Sequence, residues 1–189
     1  MQATPSFFAT RYRTLVVVLL GAASCCSLAC QQAVAEARSL YAEPWKWIDD
    51  SGEQVALSRW RGSEVLLTMA YSSCRATCAL TLRTLESMQR DADARGRAVE
   101  IIVVSYDPHT DTPEVWSEYR RRRHLDRTNW HFLSGTPQFT AQLASTLGLG
   151  DFWSADRHIV HDFRIVQLDG DGRIRRDVRW GYGASEVAP

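Results

Sequence analysis

Two uninterrupted apolar runs, "EVLLTMAY" at 64–71 and "AVEIIVVSYD" at 98–107, restrict the fold more than any other feature of the sequence. A strand with one face in water alternates apolar and polar residues; a run without alternation is covered on both faces. The segment between them carries Leu82, Leu85 and Met88 at helical spacing and stops at Gly96. Two doubly covered strands joined by a helix form a βαβ unit, whose strands lie in the middle of a sheet with helices packed on it.

The remaining elements extend that unit at both ends. "WKWIDDSGEQVAL" reads as a hairpin turning at Asp50–Ser51–Gly52, and "SRWRG" as a connector closing at Gly62. In "DTPEVWSEYRRRRH", Thr112 is an N-cap, Pro113 takes the first helical position and Glu114 suits the positive end of the dipole. "NWHFLSG" is a short strand, and "TPQFTAQLASTLG" repeats the Thr-Pro helix start and ends at Gly148. "HIVHDFRIVQLDGDGRIRRDVRW" alternates through Phe163, Ile165 and Gln167, turns at "DGDG" and returns. The order is hairpin, β, α, β, α, β, α, hairpin. It predicts an α/β domain over 45–189: a mixed central sheet with helices on both faces, an extra N-terminal hairpin and a closing hairpin. A cysteine motif at the end of the first buried strand is the thioredoxin-like placement.

Net charge is formally zero, which gives no electrostatic reason to expect nucleic acid. The one basic block, Arg120–Arg123, ends a helix where cations suit the dipole; it reads as a solvated helix end, with a docking patch as the alternative. Residues 1–35 differ from the rest. Arg11 and Arg13 precede the apolar "LVVVLLGAASCCSLAC", and small residues stand at Ala33 and Ala35. This is the pattern of a cleaved signal peptide. An uncleaved membrane anchor and a lipidated Cys30 are the alternatives, and each of the three exports the domain. Residues 36–44 read as a linker.

Cys25, Cys26 and Cys30 belong to the export segment, which leaves Cys74 and Cys78 in "YSSCRATCAL" for the domain. A disulfide closing so short a loop removes little chain entropy, so a structural staple is the weakest reading. At i and i+4 on a first helical turn the two sulfurs share one face, where the helix N-terminus favours thiolates. Two thiolates suit Cu(I), zinc, iron–sulfur chemistry or disulfide exchange. A metal site needs further ligands, and the candidates are His109, His124, His131, His158 and His161. His124 reads as a surface residue and His131 as a structural one. Exchange enzymes of this fold place a proline opposite the cysteines; here no proline lies between 138 and 188, and "RHIVHDF" stands in its place. That favours metal over a dedicated exchange enzyme.

With these residues in hand, the chain resembles the Sco/SenC family of copper-binding, thioredoxin-fold assembly proteins over about residues 43–180. The resemblance rests on "VVSYDPHTDTPEVWSEY", "FLSGTP", the Cys-x3-Cys at a strand end, and "IVHDFRIVQLDGDGRI" taken together. It implies a copper site of Cys74, Cys78 and His161, with His158 as the alternative, and with Asp107 supporting the site rather than binding metal. It further implies a periplasmic or membrane-anchored metallochaperone that serves the dinuclear copper centre of cytochrome c oxidase. The alternative is a thiol–disulfide oxidoreductase or redox sensor that uses Cys74 and Cys78 without metal. The chain departs from the family where prolines usually follow each cysteine, having Arg75 and Ala79 there. Val160 stands where the family often places Asp before its histidine.

Overall fold

The structure is a computed structural model and describes residues 38–74, 77–149 and 163–180. The export segment therefore lies outside the described residues, as do Arg75, Ala76, His158 and His161.

Among the described residues a seven-stranded mixed sheet runs β2-β1-β5-β4-β3-β6-β7. Its strands are β1 (Trp47–Asp49), β2 (Gln54–Val55), β3 (Glu64–Ala70), β4 (Val99–Ser105), β5 (Trp130–Ser134), β6 (Phe163–Leu168) and β7 (Ile174–Trp180). The two apolar runs become β3 and β4. They pair in parallel with Leu66 beside Ile101, and β4 pairs in parallel with β5. The expected hairpins close the two edges: β1 is antiparallel to β2 and β5, and β6 to β3 and β7. The helices are α1 (Thr77–Ala94), α2 (Pro113–Arg123) and α3 (Pro137–Thr146).

The period of two along the strands sorts side chains into two cores. Leu66, Ala70, Ile101 and Val103 pack with Leu82 and Leu85 of α1 and Trp116 and Tyr119 of α2. Val65, Leu67, Met69, Ile102 and Val104 point to the opposite face, against Leu143 and Ala144 of α3 and the aromatic group Trp45, Trp47 and Trp60. The three-layer, thioredoxin-like arrangement follows directly from the lack of alternation in β3 and β4. Both Thr-Pro starts cap as their chemistry requires: Thr112 accepts from the Val115 N–H and Thr136 from the Phe139 N–H.

Two segments are bound more firmly than their sequence suggests. Within the stretch read as a linker, Leu40 and Tyr41 are buried, and the Leu40 N–H donates to the Gly172 carbonyl at 2.9 Å. Gly172, at φ +79°, lets the β6–β7 turn close over the Tyr41 ring, from which an added Cβ would stand 2.5 Å. Arg120 is not a solvated helix end either. It pairs with Asp50 and donates to the carbonyls of Leu125 (3.2 Å) and Arg127 (3.1 Å), locking α2 to the β1–β2 turn and to the chain leading into β5.

Candidate functional site

Strand β3 ends at Ala70, whose carbonyl accepts from the Tyr106 N–H at 2.9 Å, so β3 and β4 stay together to their C-terminal ends. Beyond that edge the chain turns tightly, the Cys74 N–H donating to the Tyr71 carbonyl at 3.2 Å. Helix α1 then begins, and the Cys78 N–H donates to Cys74 Sγ at 3.3 Å. The spacing of four residues thus brings both cysteines together as free thiols. They are unequal. Cys78 is fully buried in the α1–α2 core, whereas Cys74 lines a cleft of about 620 Å³ with Ser72, Ser73, Tyr119, Arg122 and Arg123.

Their electrostatics differ from the sequence expectation. A helix N-terminus lowers thiol pKa values, yet the Cys78 thiol is pushed far up, first by its hydrogen bond with the Cys74 side chain and then by burial. Dipole stabilisation is outweighed because the Cys74 side chain holds the Cys78 proton and, second to that, because Cys78 lies within the apolar layer. Tyr71 is pushed up to about 12, by burial first and then by the charge of Cys74 and a hydrogen bond with it. Its phenol stays protonated across the physiological range.

A buried carboxylate fixes the loop in front of Cys74. Asp111, the residue before the Thr112 cap, is completely buried and accepts from the Ser72 N–H at 3.1 Å, the Ser72 hydroxyl and the Ser105 hydroxyl at 2.5 Å. Its backbone carbonyl accepts from the Ser134 hydroxyl, which in turn accepts from Trp116 Nε1 at 2.9 Å. Burial raises the Asp111 pKa, and the hydrogen bonds from Ser105 and Ser72 oppose that rise. The network ties the cysteine loop to the ends of β4 and β5 and to the start of α2. Reading along the chain passed over Tyr71, Ser72, Asp111 and Tyr119; the signal available was the Asp preceding the Thr-Pro cap.

Of the expected site residues, Cys74 and Cys78 come together, and His161 and His158 lie outside the described residues. Asp107 turns back on its own loop: its carbonyl accepts from the Asp111 N–H at 2.9 Å and its carboxylate faces the Thr110 N–H at 3.4 Å. His131 is held by Glu100 at 2.7 Å and rests on the Trp60 ring, a structural setting. His124 is an exposed left-handed cap at the end of α2, and His109 is exposed. Among the described residues, no group of three His, Cys, Asp or Glu side chains is gathered so as to hold a metal ion. The two adjacent sulfurs therefore supply part of a soft-metal donor set, or a complete dithiol.

Comparison with known proteins gives a consistent context for this geometry. The family model described as SCO1/SenC matches residues 33–188. A SCO1 protein homolog of Bacillus subtilis is 23% identical over 150 residues, covering 78% of this chain and 76% of that protein. The structure of Arabidopsis thaliana ScoI with copper bound superposes with a TM-score of 0.64 at 19% identity, covering 76% of this chain and 89% of that one. BsSco, described with a disulfide switch as a member of the Sco family of cytochrome c oxidase assembly proteins, gives 0.65 at 21% identity over 78% and 88% of the two chains.

Proposed function

Because the chain belongs to the SCO1/SenC family, we propose that it is an exported copper-binding protein that assists assembly of a copper centre in a respiratory oxidase. The copper is cargo. Cys74 and Cys78 supply two sulfurs, and His161, or His158 in its stead, supplies an imidazole. Two thiolates and one imidazole are a soft donor set suited to Cu(I) in a trigonal field, and to Cu(II) with one more ligand. The observation that carries this reading is the pair of free thiols in hydrogen-bond contact at the C-terminal edge of the sheet, both buried in the same apolar cluster. Such a pair holds protons when empty and gives them up to a soft cation.

The test is a Cu(I) titration of the reduced protein against a competing chelator, with Cys25, Cys26 and Cys30 changed to serine. One equivalent should bind tightly. Cys74→Ser and Cys78→Ser should each abolish tight binding. His161→Ala should weaken it strongly if His161 is the third ligand, and His158→Ala if His158 is. Unchanged binding in both histidine variants would refute the donor set.

A second reading, disulfide exchange without metal, draws on the place of Cys74 in the lining of a cleft, where Cys78 has none. Cys74 would engage a client's disulfide and Cys78 would resolve the mixed disulfide. Rapid reduction of a disulfide substrate by a protein with no Cu(I) affinity would favour it.

A further inference from the structure

We propose that the cleft over Cys74 is a docking site for an acidic segment of the client polypeptide, recognised by Arg122 and Arg123. This rests on the reading that Cys74 is where the chain meets its client. The four consecutive arginines at the end of α2 have different settings. Arg120 is committed to Asp50 and two carbonyls inside the fold. Arg121 and Arg122 share the single carboxylate of Glu118, with Arg122 the more distant at 3.4 Å. Arg123 has no carboxylate partner among the described residues and lies over the Tyr119 ring, 5.1 Å from its centroid. Arg122 and Arg123 line the cleft with Cys74, and among the described residues none of the others that line it is acidic.

The wall of the cleft therefore carries two guanidinium groups beside Cys74, while Arg121 and Glu118 line a separate cavity with Asp50 and Glu114. A guanidinium resting on an aromatic ring is held in place while its N–H groups remain free for a carboxylate. Charges on the rim of a binding surface act mainly on the rate of encounter and on the choice of partner. A cationic rim around a sulfur that must meet a second sulfur favours cysteines flanked by Asp or Glu.

Peptides carrying one cysteine activated as a 2-thiopyridyl mixed disulfide report this directly. The Cys74 thiolate forms a bond to the peptide sulfur, the peptide–thiopyridyl bond breaks, and pyridine-2-thione leaves with a proton. Cys78 then closes on Cys74, which releases the reduced peptide and leaves the protein pair oxidised. The full chain, with Cys25, Cys26 and Cys30 changed to serine and held in neutral detergent, is mixed without copper with acidic, neutral-amide and basic versions of one peptide. The absorbance of the released thione is followed. The acidic peptide should react about three- to tenfold faster than the neutral one at low salt, and the advantage should vanish at about 1 M salt. In Arg122→Glu/Arg123→Glu the ranking should invert, with the basic peptide fastest.

Equal rates for the three peptides in the unaltered arginine background would overturn the proposal. So would a double variant that slows all three equally, since the arginines would then act on the thiol and not on the partner. The salt dependence needs no arginine variant, so a misfolded double variant leaves the test intact. The ranking is measured without copper. A flat ranking leaves the copper reading standing, and failure of Cu(I) binding leaves the ranking to be judged by itself.

Discussion

Replacing Asp111 by alanine and by asparagine separates what its carboxylate holds from what its charge costs. The side chain is buried and is the shared acceptor for Ser72 N–H, Ser72 Oγ and Ser105 Oγ. Alanine leaves those donors without their acceptor, at about 1–3 kcal/mol for each buried group left unsatisfied. Ser72 is half-buried and regains part of its loss from water, so the total is about 2–4 kcal/mol. For a domain of this size that corresponds to a fall in Tm of roughly 4–16 °C. Asparagine keeps an acceptor towards Ser72 and turns a donor to Ser105 Oγ. That oxygen has two lone pairs, and one already accepts from the Asp107 N–H at 2.8 Å. The Ser105 O–H then lacks its acceptor, so Asp111→Asn should cost about 1–2 kcal/mol at neutral pH, less than alanine. The two proteins should differ in pH dependence. Burial raises the native carboxyl above its unfolded value, so its contribution is fully present below the ordinary carboxylate range and is lost as pH rises through the raised native value. Stability of Asp111→Asn relative to the wild type should rise over that interval and then level off. Urea denaturation of the reduced, metal-free proteins across this pH range measures both effects. Equal stability of the alanine and asparagine variants at neutral pH, or a wild-type-to-asparagine difference that stays flat with pH, would refute the reasoning.

Within the arginine run, Arg120→Ala should cost about 2–3 kcal/mol, because a partly buried ion pair and two carbonyl contacts are lost together, whereas Arg121→Ala should cost at most about 0.5 kcal/mol; chemical denaturation distinguishes them. Gly172→Ala drives a methyl into the Tyr41 ring and should destabilise by about 2–4 kcal/mol, while Gly52→Ala, with a similar positive φ in open space, should cost about 1–2 kcal/mol. Copper affinity should rise with pH between about pH 6 and pH 8, by up to about tenfold per unit for each thiol that must release its proton, because Cys78 is held protonated in the empty site; chelator competition at several pH values measures the slope, and a flat affinity argues against ligation by Cys78.

The elements that were legible in the sequence are those whose causes are local. Strands β3 and β4 announce themselves because a residue run buried on both faces needs no polar alternation. Helices α2 and α3 do so because Thr-Pro both caps and starts a helix. Features set by tertiary placement were not legible. Arg120 carries the same letter as its three neighbours, and only the position of Asp50 across the β1–β2 turn takes it out of solvent. Leu40 and Tyr41 look like part of a tether until the β6–β7 turn folds over them. Asp111 is marked in sequence only by its place before the Thr-Pro cap, which does not tell that its side chain meets the hydroxyls of Ser72, beyond β3, and Ser105, at the end of β4.

The cysteine pair shows what separates a spacing from a site. A separation of four residues across the turn that opens α1 brings the Cys74 sulfur to the Cys78 N–H and to its side chain. Spacing does not tell how deep each one sits, and depth decides their roles. A helix dipole favours a thiolate by a fraction of a charge, whereas at Cys78 the hydrogen bond with the Cys74 side chain, and after it the loss of hydration on burial, favour the thiol. On the proposed function, Cys74, which lines the cleft, would act first. Cys78 joins once its proton is displaced, by a soft cation that takes over the charge or by closure onto an oxidised Cys74. On the proposed function, copper loading and disulfide formation would be alternative ways of relieving one buried, protonated thiol. A Cys78→Ser variant should lose both while leaving the first encounter at Cys74 intact, which is measurable as a stable mixed disulfide that accumulates without resolving. Rapid resolution of that adduct in the variant would show that Cys78 is not the partner sulfur.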